Sequence, residues 1–226
     1  MRHHSRSKRF NQPQFDLHLQ SPEKWQGDGV DHINIWLQGA TELGVCLSFD
    51  SQIPFTHSIF GEFTVFTGFW HYIKTTERDD LLRGMWGRRL DEYSKRLTRC
   101  IVPNFQAIIL DANWQRIQQH SVLMKAMEES TLPFDSYSIN PDTHLWKRAP
   151  YYNWFIAGCE ETRKALKENR APDWSKFLTT PTNDIYEAVR PKPIVPQAFR
   201  HLLTSAFESK PLYFQRRSNM LFSFPS

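Results

Sequence analysis

Cysteine is scarce: Cys46, Cys100 and Cys159 are the only three in 226 residues, far apart and odd in number. That excludes a disulfide framework and a cysteine metal spacing, and it fits a reducing compartment. Long hydrophobic runs are missing too. No stretch of eighteen apolar residues occurs, and the charged start Met-Arg-His-His-Ser-Arg-Ser-Lys-Arg-Phe has no apolar segment behind it. Neither a membrane span nor a secretory signal is expected, so the chain reads as soluble and cytoplasmic, with no membrane partner. Gly-x-x-x-x-Gly-Lys, Gly-x-Gly-x-x-Gly, His-Glu-x-x-His and Gly-x-Ser-x-Gly are all absent, which removes the strongest nucleotide, zinc and hydrolase signatures. The nine histidines show no ligand spacing, so no metal site is expected.

Acid is missing from the ends. Residues 1–10 carry Arg2, Arg6, Lys8 and Arg9 with no carboxylate, and residues 191–226 carry Lys192, Arg200, Lys210, Arg216 and Arg217 against Glu208. With a total of +4, the middle of the chain is left at −4. Basic ends on a mildly acidic body suit a nucleic acid or an acidic protein partner. The plainer alternative is a pair of solvated tails.

What is present is aromatic. Eight Trp and seventeen Phe in a 40% apolar chain are ample for one core, and the length favours one domain with decorations. The densest stretch is Phe60 to Lys74, with seven aromatic or imidazole rings in fifteen residues. Phe60, Glu62 and Thr64 alternate like a short strand, and Gly61 and Gly68 bracket a turn. From Phe66 the apolar positions Phe66, Phe69, Trp70 and Ile73 follow one helix face, with Thr67, His71 and Lys74 on the adjacent one. Such a helix lines a pocket or is an ordinary core helix with a wet edge.

The rest divides around it. Residues 1–30 read as a polar, basic arm. Asp31 to Leu37 alternates as a first strand, and Leu43 to Phe49 reads as a second. Asp79 to Leu97 keeps helical spacing, interrupted by Gly84 and Gly87. A long amphipathic helix is expected over Phe105 to Glu128, with the stripe Leu110, Trp114, Ile117, Met124 and Met127. Residues 134–150 read as a loop, and Tyr152 to Lys167 as a helix. Beyond Pro172 come proline-spaced segments that wrap back, with a short helix near Gln197 to Glu208. The expected fold is α+β and mainly helical: short N-terminal strands, a helical bundle, then a Pro-rich C-terminal wrap. The divisions fall at 1–30, 31–170 and 171–226.

Polar residues gather at the ends of these elements: Ser48, Glu62, His71, Lys74, Arg83, Arg88, Arg89, Asp142 and His144. Phe49, Trp70, Tyr72 and Trp146 stand among them. Aromatic planes stack on bases and arginines grip phosphates bidentately, so the set matches a nucleotide-like small molecule. Each residue also has a duller explanation, surface charge for the arginines and core packing for the tryptophans.

The order Gly44-Val-Cys-Leu-Ser48-Phe49, then Pro54, a strand, and His71-Tyr72 on a helix resembles the NADAR family over about residues 30–170. The resemblance implies a small, mainly helical fold that hydrolyses N-glycosidic bonds of ADP-ribose-related compounds, including riboflavin-pathway intermediates, without a cofactor. Gly44, Phe49, His71 and Tyr72 fit the family's pattern. Two positions depart from it: Trp70 stands where the catalytic glutamate precedes His-Tyr, and Ser48 stands where the family has asparagine. Indole cannot act as a base, and a shift of three positions offers only Thr67.

Two main readings stay open, beside a third in which the chain is a plain structural subunit with no ligand. In the first, an N-glycosidase uses Asp142 or Glu62 as its carboxylate, His71 and Lys74 orient the substrate, Trp70 or Trp146 stacks on the base, and Arg83, Arg88 and Arg89 hold phosphates. In the second, an inert module of the same fold binds nucleotide or nucleic acid within a larger assembly.

Overall fold

In a computed structural model of the chain, residues 27–140, 143, 146–148 and 152–191 are described. Their architecture is α+β and mainly helical, as the sequence implies. The strands are short: β1 (Ile33–Asn34) pairs in parallel with β4 (Phe134–Asp135), β2 (Phe55–His57) antiparallel with β3 (Gly61–Phe63), and β5 (Tyr137–Ile139) antiparallel with β6 (Trp146–Arg148). The helices are α1 (Glu42–Leu47), α2 (Phe66–Lys74), α3 (Leu81–Gly84), α4 (Gly87–Ser94), α5 (Phe105–Gln118), α6 (Ser121–Glu129) and α7 (Tyr152–Lys167), followed by a 3-10 turn at Ser175–Phe177. Among the described residues no helix is long and apolar enough to cross a membrane.

Helix α2 behaves as its spacing implies. Phe66, Phe69 and Ile73 are fully buried, while Thr67, Trp70, His71 and Lys74 are half-buried along one edge. Phe66 and Phe69 meet Phe55 and Phe63 of the hairpin, and Phe66 packs edge-on against Phe49 at 5.0 Å. Burying each such ring contributes about 1.5–3 kcal/mol. Helix α7 also has its expected bounds, and its Phe155 meets Phe49 edge-on at 4.5 Å.

Elsewhere the sequence reading needs correction. Leu43 to Phe49 is not a strand but helix α1 and its exit. Thr41 caps the helix by accepting a hydrogen bond from Gly44 N at 3.1 Å, which satisfies an otherwise orphaned donor. Gly44 is needed for packing: a Cβ there would meet the Asn34 carbonyl of β1 at 2.2 Å. The first strand shrinks to two residues. Gly68 lies within α2 rather than in a turn.

The helix expected over 79–97 is two helices, because the extended backbone of Met85 and Trp86 and the left-handed Gly87 (φ +59) break it. The helix expected over 105–128 also breaks, at the extended His120. Side chains around that break finish the open edge of β2. Gln119 accepts from Thr56 N and donates to its carbonyl, both at 2.8 Å, and His120 donates to the Pro54 carbonyl. Residues 134–150 hold three short strands where a loop is expected. Their two- and three-residue lengths are too short for an alternating pattern to register.

The core does not stop at residue 170. Phe177, Tyr186 and Val189 are buried in it, and Tyr186 hydroxyl donates to Asp111 while meeting His57 Nε2 at 3.0 Å. Of the arm expected over 1–30, residues 1–26 lie outside the described residues, as does the helix expected near Gln197 to Glu208, while the Asp28 carboxylate accepts from Asn34 N and Ala40 N.

Candidate functional site

Where α1 ends, the chain turns through Ser48, Phe49 and Asp50. Long-range pairing brings a second wall to it. Ile35 N donates to the Asp135 carbonyl at 2.8 Å, extending the β1–β4 ladder. The Asn34 side chain then carries the pairing one step on, donating to the Tyr137 carbonyl at 3.0 Å and accepting from Tyr137 N at 2.9 Å. Ser136, Tyr137 and Ser138 therefore stand beside Ile35 and Trp36. The β5–β6 register sets Arg148 opposite Tyr137 and Lys147 opposite Ser138. Between these walls lies a cavity of about 330 Å³, also lined by Phe155.

Its chemistry is mixed. Asp50 is exposed at the rim, and its carboxylate accepts from Thr67 Oγ1 at 2.6 Å. Phe49 carbonyl accepts from Thr67 N at 2.9 Å, so one residue of α2 holds both Phe49 and Asp50. Arg148 pairs with Asp135 at 3.3 Å, and Lys147 is exposed at the mouth. Tyr137 hydroxyl meets His32 Nε2 at 2.7 Å, and burial pushes the phenol's pKa upward, so it stays a neutral hydrogen-bonding group.

The half-buried edge of α2 continues this region. Phe49 touches Trp70 at 5.2 Å, and Trp70 lies parallel to Trp154 at 6.0 Å and edge-on to Phe105 at 4.8 Å. Lys74 ammonium sits 4.8 Å from the Trp70 ring centre and 5.1 Å from that of Phe105. Burial, then Arg99, lowers its pKa. Burial, followed by Arg99 and Lys74, lowers His71 to about 4, so its imidazole is neutral at physiological pH. A neutral imidazole both donates and accepts, which suits orientation more than proton delivery.

The residues singled out from sequence divide among three places. Ser48 and Phe49 line the cavity, and Trp70, His71 and Lys74 lie on the edge of α2 that adjoins it. Glu62, Tyr72 and Arg83 do not join them. Tyr72 falls on the buried side of α2, because one helical step of about 100° turns it away from His71. Arg83 packs over Phe63 and Tyr72, donates to the Phe60 carbonyl and to Tyr72 hydroxyl, and pairs with Asp80 at 2.7 Å. With Glu62 it lines a separate surface depression beside Thr56 and Gln119. Arg88 and Arg89 stand on a third, exposed surface around Trp86, where Arg88 pairs with Glu92 at 2.7 Å. Trp146 falls on β6, next to the two cavity cations. Asp142 and His144 lie outside the described residues.

Asp50, Ser136, Tyr137, Ser138, Lys147 and Arg148 were not singled out beforehand. Asp50 carried a local signal, a carboxylate directly after the Ser48-Phe49 pair. The others carried none, because a parallel pairing a hundred residues apart brings them in. No group of three or more His, Cys, Asp or Glu among the described residues is placed to hold a metal. No protein-family model matches the chain, and searches of curated proteins and of solved structures return no match.

Proposed function

We propose that this chain is an N-glycosidase-like protein acting on an ADP-ribose-related or other nucleotide N-glycoside, with the cavity beside Asp50 as its site. The observation that carries the reading is the convergence, on one aromatic-walled cavity, of a single acidic residue with three serines and two cationic residues. A volume of about 330 Å³ sits at the lower end of the roughly 300–1,000 Å³ that ligand sites occupy, enough for part of a nucleotide. The resemblance to NADAR proteins in the order Gly44…Ser48-Phe49…His71-Tyr72 supports the same class of chemistry.

The roles follow from position. Lys147 and Arg148 take phosphate oxygens, and the serines take ribose hydroxyls. Phe49 and Trp36 contact the ring system. Asp50 replaces the missing glutamate: its carboxylate faces the positive charge that develops on the ribose as the C–N bond breaks, and it accepts a proton from the attacking water. The base leaves with the bonding pair and is protonated, so hydrolysis balances without a cofactor. Asp50→Asn keeps the Thr67 hydrogen bond and removes the charge. It is expected to lower release of free base from such substrates roughly 100-fold or more, read by mass spectrometry. An unchanged rate with a folded variant would sink the assignment.

The alternative is a catalytically inert module of this fold that binds nucleotide or nucleic acid within a larger assembly. Trp70 at the family's glutamate position favours it. Binding of ADP-ribose with no base released by the unmodified protein would select it.

A further inference from the structure

Beneath the Ser48–Phe49–Asp50 turn lies Arg116, from the inner face of α5. It is 0% exposed, the largest fully buried side chain in the described structure. Its electrostatic neighbours are the Cys159 and Cys46 thiols and not a carboxylate, and burial lowers its pKa only to about 10, so it keeps its charge. An uncompensated cation in a protein interior is costly, and the cost is offset only where the surroundings supply acceptors. Here they belong to the turn. One terminal nitrogen donates to the Ser48 carbonyl at 3.3 Å and to Ser51 Oγ at 3.4 Å. The other donates to the Leu47 carbonyl at 3.1 Å and to Asn113 Oδ1 at 2.8 Å. The guanidinium also lies 4.7 Å from the centre of the Phe66 ring, which stabilises it further.

Those carbonyls end α1, where a helix exposes unsatisfied acceptors and favours a cation. Ser51 Oγ is drawn into the same knot, meeting the Cys46 and Ser48 carbonyls at 2.8 Å each. The turn is thus gripped from both sides, by Arg116 through Leu47 and Ser48 and by Thr67 through Phe49 and Asp50. We infer that Arg116 is a positioning residue for the candidate site: its buried guanidinium fixes the turn that presents Asp50 to the cavity. This rests on the proposed function for its catalytic meaning, although the clamp itself is a property of the protein without ligand.

The test therefore has two readouts. In hydrogen exchange on the free protein, Arg116→Met removes every donor at similar volume and is expected to lower protection of residues 47–51 roughly tenfold, while protection of α4, which does not touch Arg116, stays unchanged. Arg116→Lys keeps the charge but not the planar fork, and is expected to fall between the two. If Arg116→Met does not fold, Arg116→Lys is read in its place. Protection lost evenly across the chain, or not lost at 47–51, overturns the clamp. The second readout is affinity for ADP-ribose, which should drop with Arg116→Met and recover in part with Arg116→Lys. Loss of turn protection with unchanged affinity overturns the link to the site. Should the unmodified protein bind no ADP-ribose, the proposed function fails, and the exchange result still decides on the clamp.

Discussion

Two regions of this molecule carry the same ingredients, arginine or lysine beside aromatic rings, and differ in what stands behind them. At the cavity, Lys147 and Arg148 share the lining with Ser48, Phe49 and Asp50; the buried Arg116 holds Ser48 from below, and the half-buried Thr67 holds Phe49 and Asp50. Around α3 and α4, Arg88 and Arg89 flank Trp86, which is 57% exposed. A Cβ added at Gly84 or Gly87 there would meet no atom within 4 Å. The difference teaches that side-chain type alone does not locate a site. Preorganisation does: a group held by buried hydrogen bonds loses little entropy on binding, whereas a solvated arginine must be ordered at that moment.

The sharpest contrast should appear in stability. Phe155→Ala removes a fully buried ring shared by the core and the cavity wall, and is expected to cost about 3–5 kcal/mol. Trp86→Ala should cost under about 0.5 kcal/mol. Denaturant melts of both variants check this, and comparable losses would erase the distinction between the two regions.

Affinity comes next. Lys147→Ala is expected to weaken ADP-ribose binding roughly tenfold, the loss of one charge-assisted contact. The double change Arg88→Ala and Arg89→Ala should leave it within a factor of about two. Titration calorimetry separates the outcomes, and the reverse ranking would move the phosphate site to α4.

Acid should unsettle the body packed around α2, where His57 stacks on Phe69, and the α3 surface in different windows. Burial is the main cause that lowers both His57 and His71 from 6.5 to about 4. In the unfolded chain they take up protons below pH 6.5, and in the folded protein only near 4. Their contribution is therefore complete above pH 6.5 and is lost as the pH falls toward 4. Beside α3 two carboxylates are lowered: a hydrogen bond from Tyr93 lowers Asp79, and one from Thr98 lowers Glu77. Their contribution persists until the pH drops below the ordinary carboxylate range. Unfolding followed from pH 7 to 5 should show a slope that His57→Gln with His71→Gln flattens and Asp79→Asn does not.

Much of the framework was legible from local pattern. Helices α2 and α7 are visible because Phe66, Phe69 and Ile73, or Phe155 and Thr162, recur with helical spacing on one buried side. Helix α1 misled because Leu-Gly-Val-Cys-Leu-Ser-Phe alternates as a strand does, while the decisive signal was Thr41 capping three residues before Gly44. On α5 the apolar stripe drew attention to Trp114, yet Asn113 and Arg116 are the polar residues turned inward. Nothing in a one-dimensional pattern marks a buried arginine whose partners lie nearly seventy residues earlier. The cavity was half legible: Ser48 and Phe49 are local to the α1 exit, whereas Ser136 to Ser138 reach it only through the parallel pairing of Ile33 with Phe134.

Hydrogen exchange on the unmodified protein with and without ADP-ribose bears on the site most directly. Added protection is predicted at residues 48–51 and 136–138, with residues 83–94 unchanged. Protection centred on Arg83 to Ser94, or none at either place, would contradict it.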